Sequence, residues 1–241
     1  MESGAKVYLA GAGPGAADLL TLKVLRLLER ADIVLHDSLI GPDVLALANP
    51  RAALIDVGKR CGGKASPQAE ICRLLVEAAH SGARVLRLKG GDPMIFGRAT
   101  EEMEALRAAG IPFEVVPGVT AASAAAAALA ASLTRRDISR AVHFLAAHGS
   151  EGGLPPHDWA ALAAAGGTLA VYMGVRTLPV LAARLTAAGM SPDMPAAAVE
   201  NVSLPGQRIW RASLGTLPGL LAQAAPGGPV LLLIGEALAQ E

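Results

Sequence analysis

Aromatic residues and net charge are both scarce in this chain of 241 residues. Phe, Trp and Tyr make up 3% of the sequence, and 21 Lys and Arg balance 21 Asp and Glu, so the formal net charge is 0. A basic surplus and many aromatic stacking platforms are typical of nucleic-acid-binding proteins. We therefore expect no nucleic-acid partner, and any attraction for an anionic ligand must be local.

Metal-binding clusters and long apolar runs are also lacking. Cys61 and Cys72 match no zinc or redox spacing, and the 5 histidines form no ligand motif, so no metal is expected. The alanine-rich run from Val119 to Leu133 is shorter than the roughly 20 residues of a membrane span, and it predicts a tightly packed buried helix. The start of the chain shows no secretion signal, which favours a cytoplasmic protein without a membrane partner.

Short β-type runs alternate with helical patterns in the first half of the chain. Strands are predicted at 6–10, 33–36, 53–57, 84–88 and 113–116, with helices near 18–30, 42–48, 67–80 and 99–109. This order predicts a mostly parallel sheet with helices on both faces. Asp18 is predicted to cap the first helix.

The alternation pauses at Pro117-Gly118, which predicts a boundary between domains of residues 1–117 and 118–241. In the second half, strands are predicted near 141–146, 168–173, 196–199, 207–212 and 230–234, with helices near 157–165, 176–188 and 215–224. No helical pattern separates the two strands between 196 and 212. The second sheet is therefore expected to be mixed, with an antiparallel hairpin.

The stretch LAGAGPGAADLL, from Leu9 to Leu20, fits the G-x-G-x-x-[GA] fingerprint of dinucleotide-binding proteins, and Asp37 follows at a suitable distance. Two features disfavour NAD. Pro14 removes a backbone N–H that a pyrophosphate would use, and the helical pattern begins late, at Asp18. The glycines therefore predict a longer, open loop, and a dehydrogenase is kept as an alternative.

Unusual residues follow nearly every predicted strand. In open α/β sheets, ligands bind beyond the carboxyl ends of the strands. We therefore expect one site built from the segments that lie at such ends: residues 11–15, Asp37, residues 58–60, 90–93 and 117–120, and His148.

Four motifs occur in order along the chain: GAGPG, RLKGGDPMIFGR (Arg87 to Arg98), VPGVTAA and VYMG (Val171 to Gly174). Together they resemble the tetrapyrrole methylase family, and the resemblance covers nearly the whole chain. It implies two α/β/α domains with an active-site cleft between them, a fold unlike the Rossmann-like methyltransferases, and usually a homodimer. It also implies S-adenosyl-L-methionine as the methyl donor and S-adenosyl-L-homocysteine as the product.

Within that family, the motifs are most similar to those of enzymes that methylate uroporphyrinogen III at C2 and C7, giving precorrin-2 through precorrin-1, for cobalamin or sirohaem biosynthesis. Two further alternatives are a sister methylase acting on a later corrinoid precursor or a non-tetrapyrrole acceptor, and a non-catalytic tetrapyrrole- or nucleotide-binding protein. Some family members carry a fused dehydrogenase/ferrochelatase module. No segment of this chain is left to supply one, so a single activity is expected.

The resemblance also implies roles for individual residues. Asp37 matches the family's proposed proton acceptor, and Lys59 matches its proposed proton donor. A side chain stands at Val202, where the family often has a glycine that contacts the cofactor. Cofactor contacts are implied for Pro14, Gly90, Gly91, Asp92, Ile95, Thr120, Ala121, Met173 and Val202.

A sulfonium donor is a cation without phosphates, so its loops need carbonyls and apolar contacts more than N–H donors, which accounts for Pro14. The tetrapyrrole carries many carboxylates, so its site needs cations. Glu101 is expected to hold the Arg98 guanidinium or to take part in proton transfer, with an exposed ion pair as the alternative. The leading candidates for substrate binding are Arg98, Arg136 and His148, followed by Arg60, Lys64, Lys89 and Arg135.

Overall fold

The computed structural model describes residues 7–58, 67–149 and 152–239. The chain forms two compact units, Met1–Thr120 and Ala121–Glu241, and each unit has its own five-stranded sheet. The boundary predicted from the sequence, after Pro117, lies close to this division after Thr120. The predicted α/β class is confirmed.

The first unit alternates strands and helices. Its sheet has the order β3-β2-β4-β1-β5, and every pairing within it is parallel. The carboxyl ends of all five strands therefore lie at one edge of the sheet. The elements are β1 (Val7–Gly11), α1 (Leu22–Leu28), β2 (Ile33–His36), α2 (Pro42–Leu45), β3 (Ala53–Asp56), α3 (Gln68–His80), β4 (Val85–Lys89), α4 (Ala99–Ala108) and β5 (Phe113–Val116).

Helices cover both faces of this sheet. One apolar cluster joins α1 and α2 to one face, where Leu28 packs with Leu86 and Leu88. A second cluster joins α3 and α4 to the other face, where Leu75 packs with Leu9. Each of these leucines is fully or almost fully buried, which contributes about 1.5–3 kcal/mol per side chain.

The start of α1 differs from the prediction. Asp18 belongs to a short 3-10 turn, Ala17–Leu19, and the backbone is extended at Leu20, so Asp18 does not cap the helix. Thr21 is the N-cap, and its hydroxyl accepts a hydrogen bond of 3.3 Å from the Val24 N–H. The leucine spacing suits helix on both sides of Thr21, so the pattern alone did not locate the cap.

The second unit has a mixed sheet with the order β6-β7-β10-β8-β9. The β6–β7 pair is parallel, whereas β10 is antiparallel to both β7 and β8. The predicted hairpin is confirmed, since β8 and β9 pair in antiparallel register from Pro195↔Ser213 to Glu200↔Arg208. The elements are α5 (Ala121–Ala128), β6 (Val142–Ala146), α6 (Trp159–Ala164), β7 (Thr168–Tyr172), α7 (Leu178–Ala187), β8 (Pro195–Glu200), β9 (Arg208–Ser213), α8 (Leu217–Ala224) and β10 (Val230–Ile234).

The alanine-rich run forms α5, and Ala122 and Ala125 in it are fully buried. Its small side chains permit close packing. In the three described ranges, no helix has the length and apolar character needed to cross a membrane.

Candidate active site

Three glycines join the loops at the carboxyl edge of the first sheet. A Cβ on Gly118 would lie 2.3 Å from the Gly91 carbonyl oxygen and 2.8 Å from the Gly11 Cα, so the three backbones are in direct contact. Gly13 and Gly91 also exchange two hydrogen bonds of 3.2 and 2.7 Å, and both have positive φ. The loops after β1, β4 and β5 therefore form one connected surface.

Asp92 reinforces this surface with its side chain. One carboxylate oxygen accepts a hydrogen bond of 2.8 Å from the Met94 N–H, and the other accepts one of 3.0 Å from the Gly118 N–H. The side chain thus orders its own loop and ties that loop to the segment after β5.

Gly90 and Gly91 present backbone without side-chain cover. Among the described residues, a Cβ on Gly91 would meet no atom within 4 Å, and a Cβ on Gly90 would meet the Leu39 side chain at 3.6 Å and nothing closer. Leu39 belongs to the loop that follows Asp37, so this loop lies beside the glycines. The two glycines leave open space for a ligand against the backbone.

Asp37 directly follows β2 and is held by a buried arginine. The Arg87 Nη2 atom donates a hydrogen bond of 2.5 Å to Asp37 Oδ1. Arg87 Nε donates a second one of 3.0 Å to Glu102 Oε1, and Lys89 Nζ reaches the same oxygen at 2.9 Å. The side chains of Arg87, Lys89 and Glu102 are 2%, 3% and 0% exposed, whereas Asp37 is 29% exposed.

The cluster changes the proton affinities of its cations. Burial lowers the pKa of Lys89, and the neighbouring Arg87 charge acts in the same direction. Burial also opposes the charged form of Arg87, but the attraction of Asp37 and Glu102 outweighs it and raises the pKa of that guanidinium. Arg87 is therefore a permanent cation beside Asp37.

The prediction that Lys89 binds substrate carboxylates is wrong. Its ammonium group is buried and paired with Glu102, because β4 side chains alternate and Lys89 shares a face with Arg87, toward α4. Lys59, Arg60 and Lys64 lie outside the described residues. Gly58, the last described residue before them, packs against Ser38.

Arg98 and Glu101 lie together at the start of α4. Arg98 Nε donates a hydrogen bond of 2.9 Å to Glu101 Oε1, and their side chains are 61% and 42% exposed. A hydrogen bond from its own backbone N–H, followed by the one from Arg98, lowers the pKa of Glu101. Glu101 is thus suited to hold the guanidinium. Three other predicted cofactor residues of this unit, Pro14, Ile95 and Thr120, are half-buried.

The second unit places His148, Met173 and the loop of Val202 at one edge of its sheet. His148 follows β6 and Met173 follows the parallel neighbour β7, with Ala147 N–H bonded to the Tyr172 carbonyl at 2.9 Å. Strand β8 runs in the same direction as β7, because both are antiparallel to β10. His148 is exposed, and Met173 is 52% exposed with a positive φ of 58°.

The Val202 side chain is 6% exposed, so it packs inward instead of projecting from the loop as expected. The neighbouring Glu200 supports this segment. Its carboxylate accepts hydrogen bonds of 2.5 Å from Arg208 Nε and 2.6 Å from the Gly228 N–H, and the first of these contributes most to lowering the pKa of Glu200. A backbone contact by Val202 remains compatible with this arrangement. Ala121 begins α5, beside Ala122.

Arg136 lies elsewhere in the second unit. It belongs to a turn closed by the Arg135 and Ser139 backbones, and Ser139 Oγ lies 3.2 Å from Thr168 Oγ1, at the amino end of β7. His148 follows the opposite, carboxyl ends of the strands. This unit therefore does not bring Arg136 together with His148.

The sequence analysis missed Arg87 and Glu102 as members of the site. The available signal was the pair of basic residues two apart, Arg87 and Lys89, inside an otherwise apolar strand. Both side chains of such a pair face the same way, and a buried cation requires an acidic partner. Among the residues that the structure describes, no group of three or more His, Cys, Asp or Glu side chains is placed to hold a metal ion.

Known proteins resemble this chain over most of its length. Residues 6–218 match the sequence model of the Tetrapyrrole (Corrin/Porphyrin) Methylases. The chain is 48% identical over 233 residues to the siroheme synthase of Stutzerimonas stutzeri, covering 96% of this chain and 50% of that protein. It thus spans about half the length of the curated relatives it matches.

Solved structures resemble the chain over nearly its full length. The uroporphyrin-III-C-methyltransferase from Thermus thermophilus is 41% identical, with a TM-score of 0.79 and coverage of 96% of this chain and 94% of that one. A second structure of that enzyme, complexed with S-adenyl homocysteine, is 40% identical, with a TM-score of 0.81 and coverage of 96% and 98%. A cobalt precorrin-4 methyltransferase is 31% identical, with a TM-score of 0.87 and coverage of 97% and 96%.

The resemblance carried by the four motifs is confirmed by these matches. The solved structures share the fold of this chain, and their names describe them as methyltransferases. The chain itself carries the glycine loops and the Asp37 carboxylate that the motifs point to. The chain belongs to the tetrapyrrole (corrin/porphyrin) methylase family.

Proposed function

We propose that this protein transfers methyl groups from S-adenosyl-L-methionine to C2 and C7 of uroporphyrinogen III, giving precorrin-2 through precorrin-1. The identity of 41% to the T. thermophilus enzyme, across nearly the whole of both chains, carries this proposal. We also propose that the protein forms a homodimer, as the resemblance implies, and that it is cytoplasmic, as the start of the sequence suggests.

The glycine loops of the first unit fit a bound S-adenosyl-L-methionine. Gly90 and Gly91 leave the backbone open where a Cβ would otherwise occupy the space. When bound, S-adenosyl-L-methionine supplies an electrophilic methyl group. The residues proposed to hold it are Pro14, Gly90, Gly91, Asp92, Ile95, Thr120, Ala121, Met173 and Val202.

Asp37 is the proposed proton acceptor. After its ring carbon gains a methyl group, the tetrapyrrole must release a proton to restore conjugation, and a carboxylate placed beside it takes that proton. Arg87 holds the Oδ1 atom of Asp37, and the Asp37 side chain is 29% exposed, so the carboxylate is accessible at the carboxyl edge. Lys59 is kept as the proposed proton donor.

Cations and apolar side chains suit a large polycarboxylate with an apolar ring system. Arg98 and His148 are exposed at carboxyl edges of their sheets, so each is proposed to bind a substrate carboxylate. Arg136 lies at the amino end of β7, and its proposal as a further substrate contact rests on its charge and exposure alone. Glu101 holds the Arg98 guanidinium for this role. Leu39 is 64% exposed beside Gly90, which offers an apolar surface.

A methylase acting on a later corrinoid is the second candidate. The observation in its favour is the TM-score of 0.87 to the cobalt precorrin-4 methyltransferase, against 0.79 and 0.81 for the two structures of the T. thermophilus enzyme. Sequence identity favours the first candidate, at 41% against 31%. Methylation assays with uroporphyrinogen III and with later corrinoids as acceptors distinguish the two candidates.

The test is an anaerobic incubation of the purified protein with S-adenosyl-L-methionine and enzymatically generated uroporphyrinogen III, followed by mass spectrometry. We expect the tetrapyrrole to gain two methyl groups, with two molecules of S-adenosyl-L-homocysteine released. Binding of the cofactor without methylation would reject uroporphyrinogen III and turn the assay to later corrinoids. Stabilisation by NAD but not by S-adenosyl-L-methionine would instead favour a dehydrogenase.

Gly90→Ala tests the proposed cofactor surface separately from catalysis. The protein tolerates the added methyl, since its nearest neighbour is a flexible leucine at 3.6 Å, so the thermal midpoint should hardly change. A ligand against this backbone would be overpacked by about 1–3 kcal/mol, so affinity for S-adenosyl-L-homocysteine should fall about tenfold to a hundredfold by calorimetry. Gly41→Ala, where the new methyl meets no atom within 4 Å, is the control. Equal affinities in both variants would place the cofactor elsewhere.

A further inference from the structure

A cluster of four charged side chains lies beneath the carboxyl edge of the first sheet. Arg87 and Lys89 supply two positive charges, and Asp37 and Glu102 supply two negative ones. Three members are buried almost completely, whereas Asp37 keeps 29% of its side chain exposed. The cluster therefore presents a carboxylate to the surface and keeps its other charges inside.

The contacts of Arg87 fix the orientation of its guanidinium. Nη2 donates to Asp37 at 2.5 Å, Nε donates to Glu102 at 3.0 Å, and Nη1 donates to the Leu88 carbonyl at 3.1 Å. All three nitrogen atoms are thus engaged, and a planar guanidinium held at three points leaves its carboxylate partner little freedom. Glu102 determines where Arg87 directs Nη2.

Glu102 balances the charges of two buried cations, but it does so through only one of its two oxygen atoms. Its Oε1 atom accepts hydrogen bonds from Arg87, Lys89 and Gln68, but its buried Oε2 atom has no partner among the residues that the structure describes. An unpaired buried acceptor costs about 1–3 kcal/mol, and well-packed apolar residues often serve as well as a buried ion pair. A buried acid with one unpaired oxygen, joined through Arg87 to the exposed Asp37, points to a role in the chemistry above it.

We propose that Glu102, acting through Arg87, is a positioning residue that holds the Asp37 carboxylate in place for proton transfer. This role rests on the proposed function, in which Asp37 is the proton acceptor. Glu102 does not touch Asp37 in this arrangement. It holds the Nε atom of the guanidinium whose Nη2 atom holds Asp37.

A double-mutant cycle separates positioning from a general structural effect. The variants are Glu102→Gln, Asp37→Asn and the two combined, with single-turnover methyl transfer to uroporphyrinogen III measured by mass spectrometry. We expect Glu102→Gln to lower the rate about tenfold to a hundredfold, as for other residues that orient a reacting group. Affinity for S-adenosyl-L-homocysteine should not change. In the Asp37→Asn background, Glu102→Gln should cost less than about twofold more.

Glu102→Gln leaves two buried cations facing a single carboxylate, which is destabilising. The variant Glu102→Gln/Lys89→Met restores the charge balance and retains the Arg87–Asp37 pair. We expect it to unfold at a higher temperature than Glu102→Gln, yet to transfer methyl groups as slowly, because Arg87 Nε still lacks its charged acceptor. This variant keeps the test valid if the single substitution prevents folding.

Two outcomes would overturn the role of Glu102 while the wild-type protein remains active. One is a wild-type rate in the charge-balanced variant, and the other is multiplication of the losses when Glu102→Gln and Asp37→Asn are combined. A wild-type protein that binds S-adenosyl-L-homocysteine but methylates no uroporphyrinogen III would instead overturn the proposed function, and the role assigned to Glu102 with it.

Discussion

Asp37→Asn is expected to lower kcat for methyl transfer by about 10²–10⁴-fold, the contribution of a general base. The amide oxygen can still accept the hydrogen bond from Arg87, so the geometry at the end of β2 should persist. An amide cannot take up the proton that the tetrapyrrole releases. Affinity for S-adenosyl-L-homocysteine should therefore stay within about twofold of wild type, as measured by calorimetry, while turnover is lost.

Asp32→Asn is a matched control at the other end of the same strand, β2. Asp32 precedes β2, pairs with Arg84 at 2.9 Å and lies at the opposite edge of the sheet. Its pairing with Arg84 lowers the pKa of Asp32 to about 2, so the control also removes an ionised carboxylate from an Asp–Arg pair. We expect it to retain wild-type kcat. Equal kcat values for Asp37→Asn and Asp32→Asn would remove Asp37 from the reaction.

The order of elements was predictable because local patterns determine it. Each strand of the first unit ends in a turn and is followed by a helical pattern, which requires parallel pairing. The missing helix between β8 and β9 likewise required the hairpin. The start of α1 was not predictable from spacing, because both Asp18 and Thr21 are suitable caps and the extended backbone at Leu20 decides between them.

The exposed residues of the site could be predicted from the sequence, whereas the buried residues that hold them could not. Glycine loops and Asp37 follow strand ends, so the topology alone places them at one edge. Arg87 and Glu102 belong to a strand and a helix whose patterns are mainly apolar, and their pairing depends on how α4 packs over β4. The contact between Arg87 and Glu102 depends on tertiary packing, and the spacing of residues along a single strand or helix does not predict it.

The largest expected effect on stability is that of Gly118→Ala. Its φ lies outside the left-handed region, so alanine suits the local backbone, but the new methyl would lie 2.3 Å from the Gly91 carbonyl oxygen. Backbone atoms of Gly11 and Gly91 block it, and neither can move by rotating a side chain. We expect a loss of about 1–3 kcal/mol or more in the free energy of unfolding, measured by denaturant titration.

Gly118→Ala and Gly90→Ala should separate two properties of the glycine loops, namely their contribution to stability and their contribution to cofactor binding. Gly118 lies where three backbones meet, so its substitution should lower stability and, by parting the loops, weaken cofactor binding as well. Gly90 lies at the open surface, where alanine meets only a leucine side chain, so its substitution should weaken binding without lowering stability. Wild-type stability in Gly118→Ala would show that the loops separate at no cost, and the close contact of Gly11, Gly91 and Gly118 would then not be what maintains the cofactor surface.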